Sequence, residues 1–390
     1  MDHLEDNWCS DYYDRSCVEI DLSALEHNFA EIRKVTSPSA GIMAVVKADA
    51  YGHGAYEVAK TLLDCGAAGL CLATMDEAVD LRRRGITAPM LTLGYTDKSR
   101  YADAVRYEID QAVYSFDIAR ALSDEAVSQN KTIRCHFKLD TGMGRIGFKA
   151  DGSDTEEIVR CCELPGIVPY GVFSHFAVAD TDDDEYTRQQ YKDFVDQRES
   201  LEAKGIHFEK RHICNSAGIM RFPEMHLDLV RAGIILYGLM PPGCPEPPVK
   251  LDLKPVMTWY AKVIHVKRIA AGDSVSYGRH FRAEGETEVA TVGIGYADGL
   301  SRRLSNGFEL IVDGIRCPII GNVCMDMCMV DTTALAKRPK VGDIVMVFGK
   351  DRLADELADC IGTINYEITC VVGKRVRRIY VKDGAPIQII

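Results

Sequence analysis

The sequence predicts an α/β protein, a (β/α)8 barrel of the TIM type followed by a mainly β C-terminal domain, on three observations. Short apolar runs alternate with amphipathic segments in a βα rhythm, and the rhythm counts eight strands before it stops. A Pro-rich stretch, "MPPGCPEPPVK" from Met240 to Lys250, breaks it. Beyond that stretch the apolar period is two. The barrel is expected over residues 12–245 and the β domain over 246–390.

In chain order, a helix is expected from Asp21 to Thr36. The barrel strands follow: "GIMAVVK" from Gly41, "GLCLAT" from Gly69, "PMLTLG" from Pro89, "IDQAVYS" from Ile109, "TIRCHFKLD" from Thr132, "IVPYGVFSHF" from Ile167, "FEKRHICNS" from Phe208 and "LDLVRAGIILYG" from Leu227. Helical patterns lie between them. In "YEVAKTLLDC" residues Val58, Ala59, Leu62 and Leu63 form one apolar stripe, and "DEYTRQQYKDFVDQRESLEAKG" is expected to do the same, ending at Gly205. In the second domain "MTWYAKVIHVKRI", "EVATVGIGYAD", "FELIVDGIRCPII", "VCMDMCMVD" and "DIVMVFG" read as strands, with Asp313-Gly314 a hairpin turn. Only "RLADELADCIG" reads as helix there.

Composition narrows the function. A net charge of -12 works against nucleic acid, whose phosphate backbone needs a dense cationic face. No apolar stretch approaches the roughly 18 residues of a membrane span. The start, "MDHLEDNWCSDYYDR", is acidic and lacks the basic-then-apolar order of a secretory leader, so a cytoplasmic protein is expected. The 14 cysteines are scattered, as small buried hydrophobes are. Cys324 and Cys328, read on one strand, would stand roughly 13 Å apart, too far to share a metal ion; none is expected.

Barrels of this kind gather their chemistry at the carboxyl ends of the strands. Those ends carry Lys47 with Tyr51 just behind it, Lys138 with Asp140 and then Arg145, His175, His212 with Asn215 and Ser216, and Arg231 before Gly233 and Ile234. Each alone is ordinarily a solvated or packed residue; five such ends together are not ordinary. "CNSAG" leaves a strand toward a short helix, so Ser216 and nearby N–H groups could hold a dianion, and Gly233 permits close backbone approach. There is no acidic metal cluster and no GxGxxG turn. A lysine nucleophile, a monophosphate cradle and no metal suit pyridoxal 5′-phosphate, with phosphosugar chemistry on the same barrel as the competing reading.

"VKADAYGHG", "KLDTGMGRIG", "SHFAVAD", "NSAG", "RAGIILYG", "SYGR", "GYADG", "CMDM" and "INYE" occur in an order that closely resembles the bacterial alanine racemases, from about Cys17 to the C-terminus. That resemblance implies a pyridoxal-phosphate enzyme interconverting L- and D-alanine, with D-alanine destined for peptidoglycan. Lys47 would carry the cofactor on its amine. Tyr51, Ser216, Gly233, Ile234 and Tyr366 match phosphate ligands, with Asn215 and Arg145 beside the cofactor. Arg231 would face the pyridine nitrogen, and because a guanidinium keeps its protons, the cofactor would be a weaker electron sink. Racemisation needs an acid/base group on each face of Cα. Lys47 would serve one face and Tyr277, in "SVSYG", the other, its phenol tuned by His175 hydrogen-bonded toward Arg231 and His212. Met325 with Arg145 would take the substrate carboxylate. Lys138, carbamylated in relatives, would position Arg145, with Tyr296, Arg302 and Asp326 around the site. The resemblance also implies a homodimer whose active sites draw Tyr277 and "CMDM" from the partner.

One departure stands out: relatives commonly read G-R-x-C-M-D where this chain has "GNVCMD", which puts Asn322 at a position expected to line the access corridor. Three other readings compete. A serine or serine/alanine racemase of the same family would tend to lose the tyrosine of "INYE", which Tyr366 keeps. A basic amino-acid decarboxylase would set a carboxylate where Arg231 stands. A non-catalytic cofactor carrier would leave Tyr277 without purpose.

Overall fold

The computed structural model describes residues 15–390. The acidic opening and the first residues of the expected barrel domain therefore lie outside the described residues. The chain divides into two compact units, residues 25–253 and a β unit of residues 15–24 with 254–390.

The first strand, β1 (Ser16–Asp21), belongs to the β unit rather than to the barrel, which departs from the expected start at residue 12. Its alternation could not reveal this, because a strand's pattern says that one face is buried and not which sheet buries it. The helix Leu22–Val35 follows, its first turn capped by Asp21 Oδ1 accepting from Ala24 N–H at 2.9 Å.

The barrel strands are β2 (Gly41–Val45), β3 (Gly69–Leu72), β4 (Met90–Thr92), β5 (Asp110–Val113), β6 (Ile133–Asp140), β8 (Ile167–Phe173), β9 (Lys210–His212) and β10 (Leu229–Ala232), with a two-residue β7 (Phe148–Lys149) beside β6. All eight pair in parallel, each with its neighbour in sequence, and β10 pairs β2 to close the ring. The expected closed barrel is therefore the observed one. All eight strands are shorter than expected, β9 and β10 most of all: β9 stops at His212, and β10 gives way at Gly233 to a 3-10 turn over Ile234–Tyr237. Shortening matters, because it leaves loop backbone at the barrel mouth where ligands are met.

Outside the ring, Val58, Ala59 and Leu62 of helix Ala55–Asp64 are buried as expected. The long helix Asp184–Ala203 is the expected one, but the stripe it buries at 3-4 spacing, Thr187, Gln190, Phe194, Gln197 and Leu201, is apolar only at Phe194 and Leu201. Those amides are satisfied: Gln197 donates to Thr155 Oγ1 at 2.9 Å, and Gln190 accepts from Ala177 N–H at 2.9 Å while donating to the carbonyl of His175 at 3.3 Å.

The β unit is built on β11 (Met257–Ile269), which pairs β1 and β18 (Ile344–Phe348) along its first half and β14 (Thr287–Val292) along its second, while the two-residue β12 (Ser274–Val275) and β13 (Phe281–Arg282) pair with each other. β1 is also parallel to β19 (Arg377–Lys382), itself paired to β20 (Ala385–Ile389), two C-terminal strands that apolar alternation did not mark. β15 (Glu309–Val312) and β16 (Ile315–Pro318) form the expected hairpin across Asp313 and Gly314, both with positive φ. Two expectations fail here. "VCMDMCMVD" is a strand only over β17 (Cys328–Asp331); before it Cys324 N–H bonds the carbonyl of Met327 at 2.9 Å, a turn that alternation mimics. "INYEITC" is a second helix, Asn365–Cys370, after Ala354–Ile361.

Candidate active site

Lys47 stands two residues past the end of β2, and the backbone after it explains the crowding of small residues there. Ala48, Asp49, Ala50 and Tyr51 all have φ of 53–54°, one turn of left-handed helix, where each L-residue costs about 1–2 kcal/mol. The turn is held from outside. Glu77 Oε1 accepts from Ala48 N–H at 2.6 Å while its other oxygen caps helix Met75–Arg83 through Ala73 and Thr74, and Asp49 accepts from Ala55 N–H at 2.8 Å. The turn swings Tyr51 inward, buried, its ring 4.9 Å from that of Tyr237, whose hydroxyl donates to Val45 O at 2.9 Å.

Beside Tyr51 lies Gly233. A Cβ there would come within 2.9 Å of the Tyr51 hydroxyl and 3.5 Å of Ser216 Oγ, so any side chain would fill the space between them. Ser216 Oγ accepts from Gly233 N–H at 3.0 Å, and Asn215 Oδ1 caps the helix Ser216–Arg221 by accepting from Gly218 N–H at 2.9 Å. Ile234, fully buried, follows. Three separated sequence motifs thus close one small polar cradle with donors on two sides.

Arg231, 3% exposed, is fixed by four contacts. Nη1 donates to His212 Nδ1 at 2.7 Å, and Nη2 donates to the carbonyls of Ser174 and Ile213 at 2.8 and 2.9 Å and to His175 Nδ1 at 3.1 Å. Burial pushes its pKa down to about 10, so it stays charged at neutrality. His175 and His212 therefore meet through Arg231, each accepting from it. Burial and then the Arg231 charge hold both imidazoles well below the usual histidine range, with Lys138, Arg145 and Lys47 acting on His175 as well. The residues expected at five strand ends share one cationic field.

Lys138 is buried, its amine 4.8 Å from the Phe173 ring centre. Burial, then Arg231 and Arg145, push its pKa far below the ordinary lysine value. Asp140 accepts from the N–H groups of Gly142 and Gly144, both at 3.0 Å, and so shapes the loop that carries the exposed Arg145. Cys71 lies in the same field, but burial pushes its thiol up to about 12, a packing group rather than a nucleophile.

The remaining expected residues lie on the β unit. Tyr277 is 74% exposed on a 3-10 turn. Asn322, read from the sequence as a corridor residue, is buried and donates to the Tyr277 carbonyl at 2.7 Å. Met325 is 53% exposed on a turn pinned by its carbonyl accepting from Ala297 N–H at 3.0 Å. Arg375 bonds both Asp326, at 2.7 Å, and the fully buried Asp298, at 2.7 Å, while Arg15 bonds Asp298 and the Asp326 carbonyl, clamping the same turn. Tyr296 and Arg302 are exposed; Tyr366 is half-buried on helix Asn365–Cys370. Sequence reasoning missed Arg15, Asp298 and Arg375, because Asp298 lies 283 residues from Arg15 and 77 from Arg375 and such distances leave no local signal.

Two family models cover the chain, one described as the N-terminal domain of alanine racemase over residues 20–241 and one as its C-terminal domain over 256–380. The chain belongs to the alanine racemase family. Among its relatives are an alanine racemase of Clostridium tetani, 44% identical over 94% of this chain and 95% of that one, and one of Desulforamulus reducens, 46% identical over 93% and 98%. The solved alanine racemase of Clostridium difficile 630 superposes with a TM-score of 0.94 at 37% identity, covering 97% of this chain and 98% of that one. The family is one of isomerases, and it shares this barrel and β domain.

Proposed function

We propose that this chain racemises alanine with pyridoxal 5′-phosphate as cofactor, by a two-base mechanism, in the cytoplasm and in the supply of D-alanine to peptidoglycan. The observation that carries the proposal is the combination at the barrel mouth of Lys47, the Gly233–Ser216–Tyr51 cradle and the buried Arg231. The residues present fit this cofactor: the cradle would suit its phosphate, and the buried guanidinium of Arg231 would donate to its pyridine nitrogen, which accepts. When bound, the cofactor withdraws electrons from the substrate and makes Cα–H acidic. The chain's residues do the rest. Lys47 Nζ holds the cofactor and exchanges a proton on one face of Cα, acting on D-alanine. Tyr277 Oη exchanges a proton on the opposite face, acting on L-alanine, and with one proton removed and one returned the reaction balances. Met325 N–H and Arg145 bind the substrate carboxylate, Tyr366 adds to the phosphate contacts, and Tyr296, Arg302 and Asp326 shape access.

The exposure of Tyr277 and Met325 supports a homodimer in which both are contributed by the partner copy, since a large aromatic with a reactive role is poorly placed in bulk water. The low pKa of Lys138 supports its carbamylation, because a neutral buried amine beside two arginines is the form that adds carbon dioxide, and the anion produced would be paired at once.

The test begins with absorbance near about 420 nm in purified protein and borohydride trapping of the label on Lys47. Racemisation of L-alanine is then compared with that of L-serine. A kcat/KM favouring serine would move the assignment to the serine-preferring branch, and failure of Tyr277→Phe to lower alanine turnover would remove the second base.

A further inference from the structure

Behind Arg231 a line of buried polar groups continues through the barrel and ends at a carboxylate the reaction does not use. His212 Nε2 lies 2.9 Å from His136 Nδ1, and His136 Nε2 faces Asp110 Oδ2 across 3.6 Å. Asp110 Oδ1 accepts from Arg134 Nε at 2.9 Å. Asp110, His136 and His212 are all at least nine-tenths buried.

The backbone makes room for this line. The β6–β8 pairing slips at Cys135/His136, so that His136 stands opposite Gly171. A Cβ on Gly171 would overlap the His136 ring. A register slip and a glycine on facing strands are devices that aim one side chain. Phe173 stacks on His212 with ring centres 4.8 Å apart, fixing its plane.

We propose that Asp110 and His136 are positioning residues that set the tautomer of His212 and through it the orientation of Arg231. A guanidinium only donates, so His212 Nδ1 must accept and the neutral ring carries its proton on Nε2. That proton points at His136, whose Nδ1 must accept, which leaves the His136 proton on Nε2, facing Asp110. The carboxylate sits at the one end where an N–H is favoured over a lone pair, and every group between has a single consistent assignment. Reversing the line would set an N–H of His212 against an N–H of Arg231.

Asp110→Asn performs that reversal without changing size. Arg134 pins the amide oxygen in the Oδ1 place and so turns the amide NH2 toward His136. Removing the pin by Arg134→Met frees the amide to turn its oxygen to His136. The kinetic arm of the test rests on the alanine reading; the tautomer arm does not. Nitrogen-15 NMR of the full-length, cofactor-free chain labelled in its histidines is expected to show His212 protonated on Nε2. In Asp110→Asn this signature should be lost, with kcat for alanine in the loaded enzyme lowered about tenfold and KM little changed. Asp110→Asn/Arg134→Met should restore both. A wild-type His212 protonated on Nδ1 overturns the proposal whether or not any variant folds, as does an Asp110→Asn chain with wild-type tautomer and kcat, or a double variant that restores neither.

Discussion

At the scale of single residues, Asn322 and Lys138 show how environment assigns a role that residue type does not. An asparagine in place of the expected arginine reads from the sequence as a less cationic corridor, yet its amide holds the Tyr277 carbonyl. Asn322→Ala is therefore expected to lower alanine turnover by roughly tenfold while costing about 1 kcal/mol of stability, the order of one lost hydrogen bond; steady-state kinetics beside urea titration would check both. Lys138→Arg installs a permanent positive charge and forbids carbamylation. Substrate KM should rise in that variant, since the proposed anion no longer orients Arg145, and added bicarbonate should change nothing.

At the scale of elements, the segment after β2 carries the reactive lysine on backbone that local propensity opposes. Four left-handed residues persist because Glu77 takes the N–H of Ala48 and the Asp49 carboxylate ties the turn to Ala55 N–H, and such strain collects where surrounding structure can hold it. Glu77 serves both this turn and the cap of helix Met75–Arg83. Glu77→Ala should cost about 1–2 kcal/mol in chemical denaturation and lower the occupancy of Lys47 by cofactor, read from the visible absorbance. Ala48→Gly, at an exposed position, should instead stabilise by about 1 kcal/mol because glycine adopts positive φ without the Cβ clash.

At the scale of the whole molecule, the first and last strands of the described residues lie in the same sheet. β1 is hydrogen-bonded on both sides, to β11 and to β19, so deleting residues 1–21 should leave the β unit unable to fold, seen as loss of its cooperative unfolding transition. Stability should also fall in mild acid. His212 is fully buried, and burial followed by Arg231 depresses its folded-state pKa, so the unfolded chain takes up the proton first. Its contribution is complete above about pH 6.5 and declines by about 1.4 kcal/mol per pH unit below that until the folded pKa is reached. Urea titrations at pH 7.5 and 5.5 would show the decline, and His212→Gln should make it shallower, His175 being held down in the same way and contributing the rest.

The sequence by itself determined the barrel, the β domain after it and the residues at the strand ends, because βα periodicity repeats locally and reactive side chains at a strand's carboxyl end need no partner to be noticed. It left open the home of β1, the turn hidden in "VCMDM", the second C-terminal helix and the line from Arg231 to Asp110. The home of β1 and the line to Asp110 depend on which distant segment supplies a hydrogen bond: Asp110 meets His136 only once β5 pairs with β6, and His136 meets His212 only once β8 joins β6 to β9. A hydrogen bond between residues far apart in sequence leaves no period to read, and closure of the chain in space is what selects it.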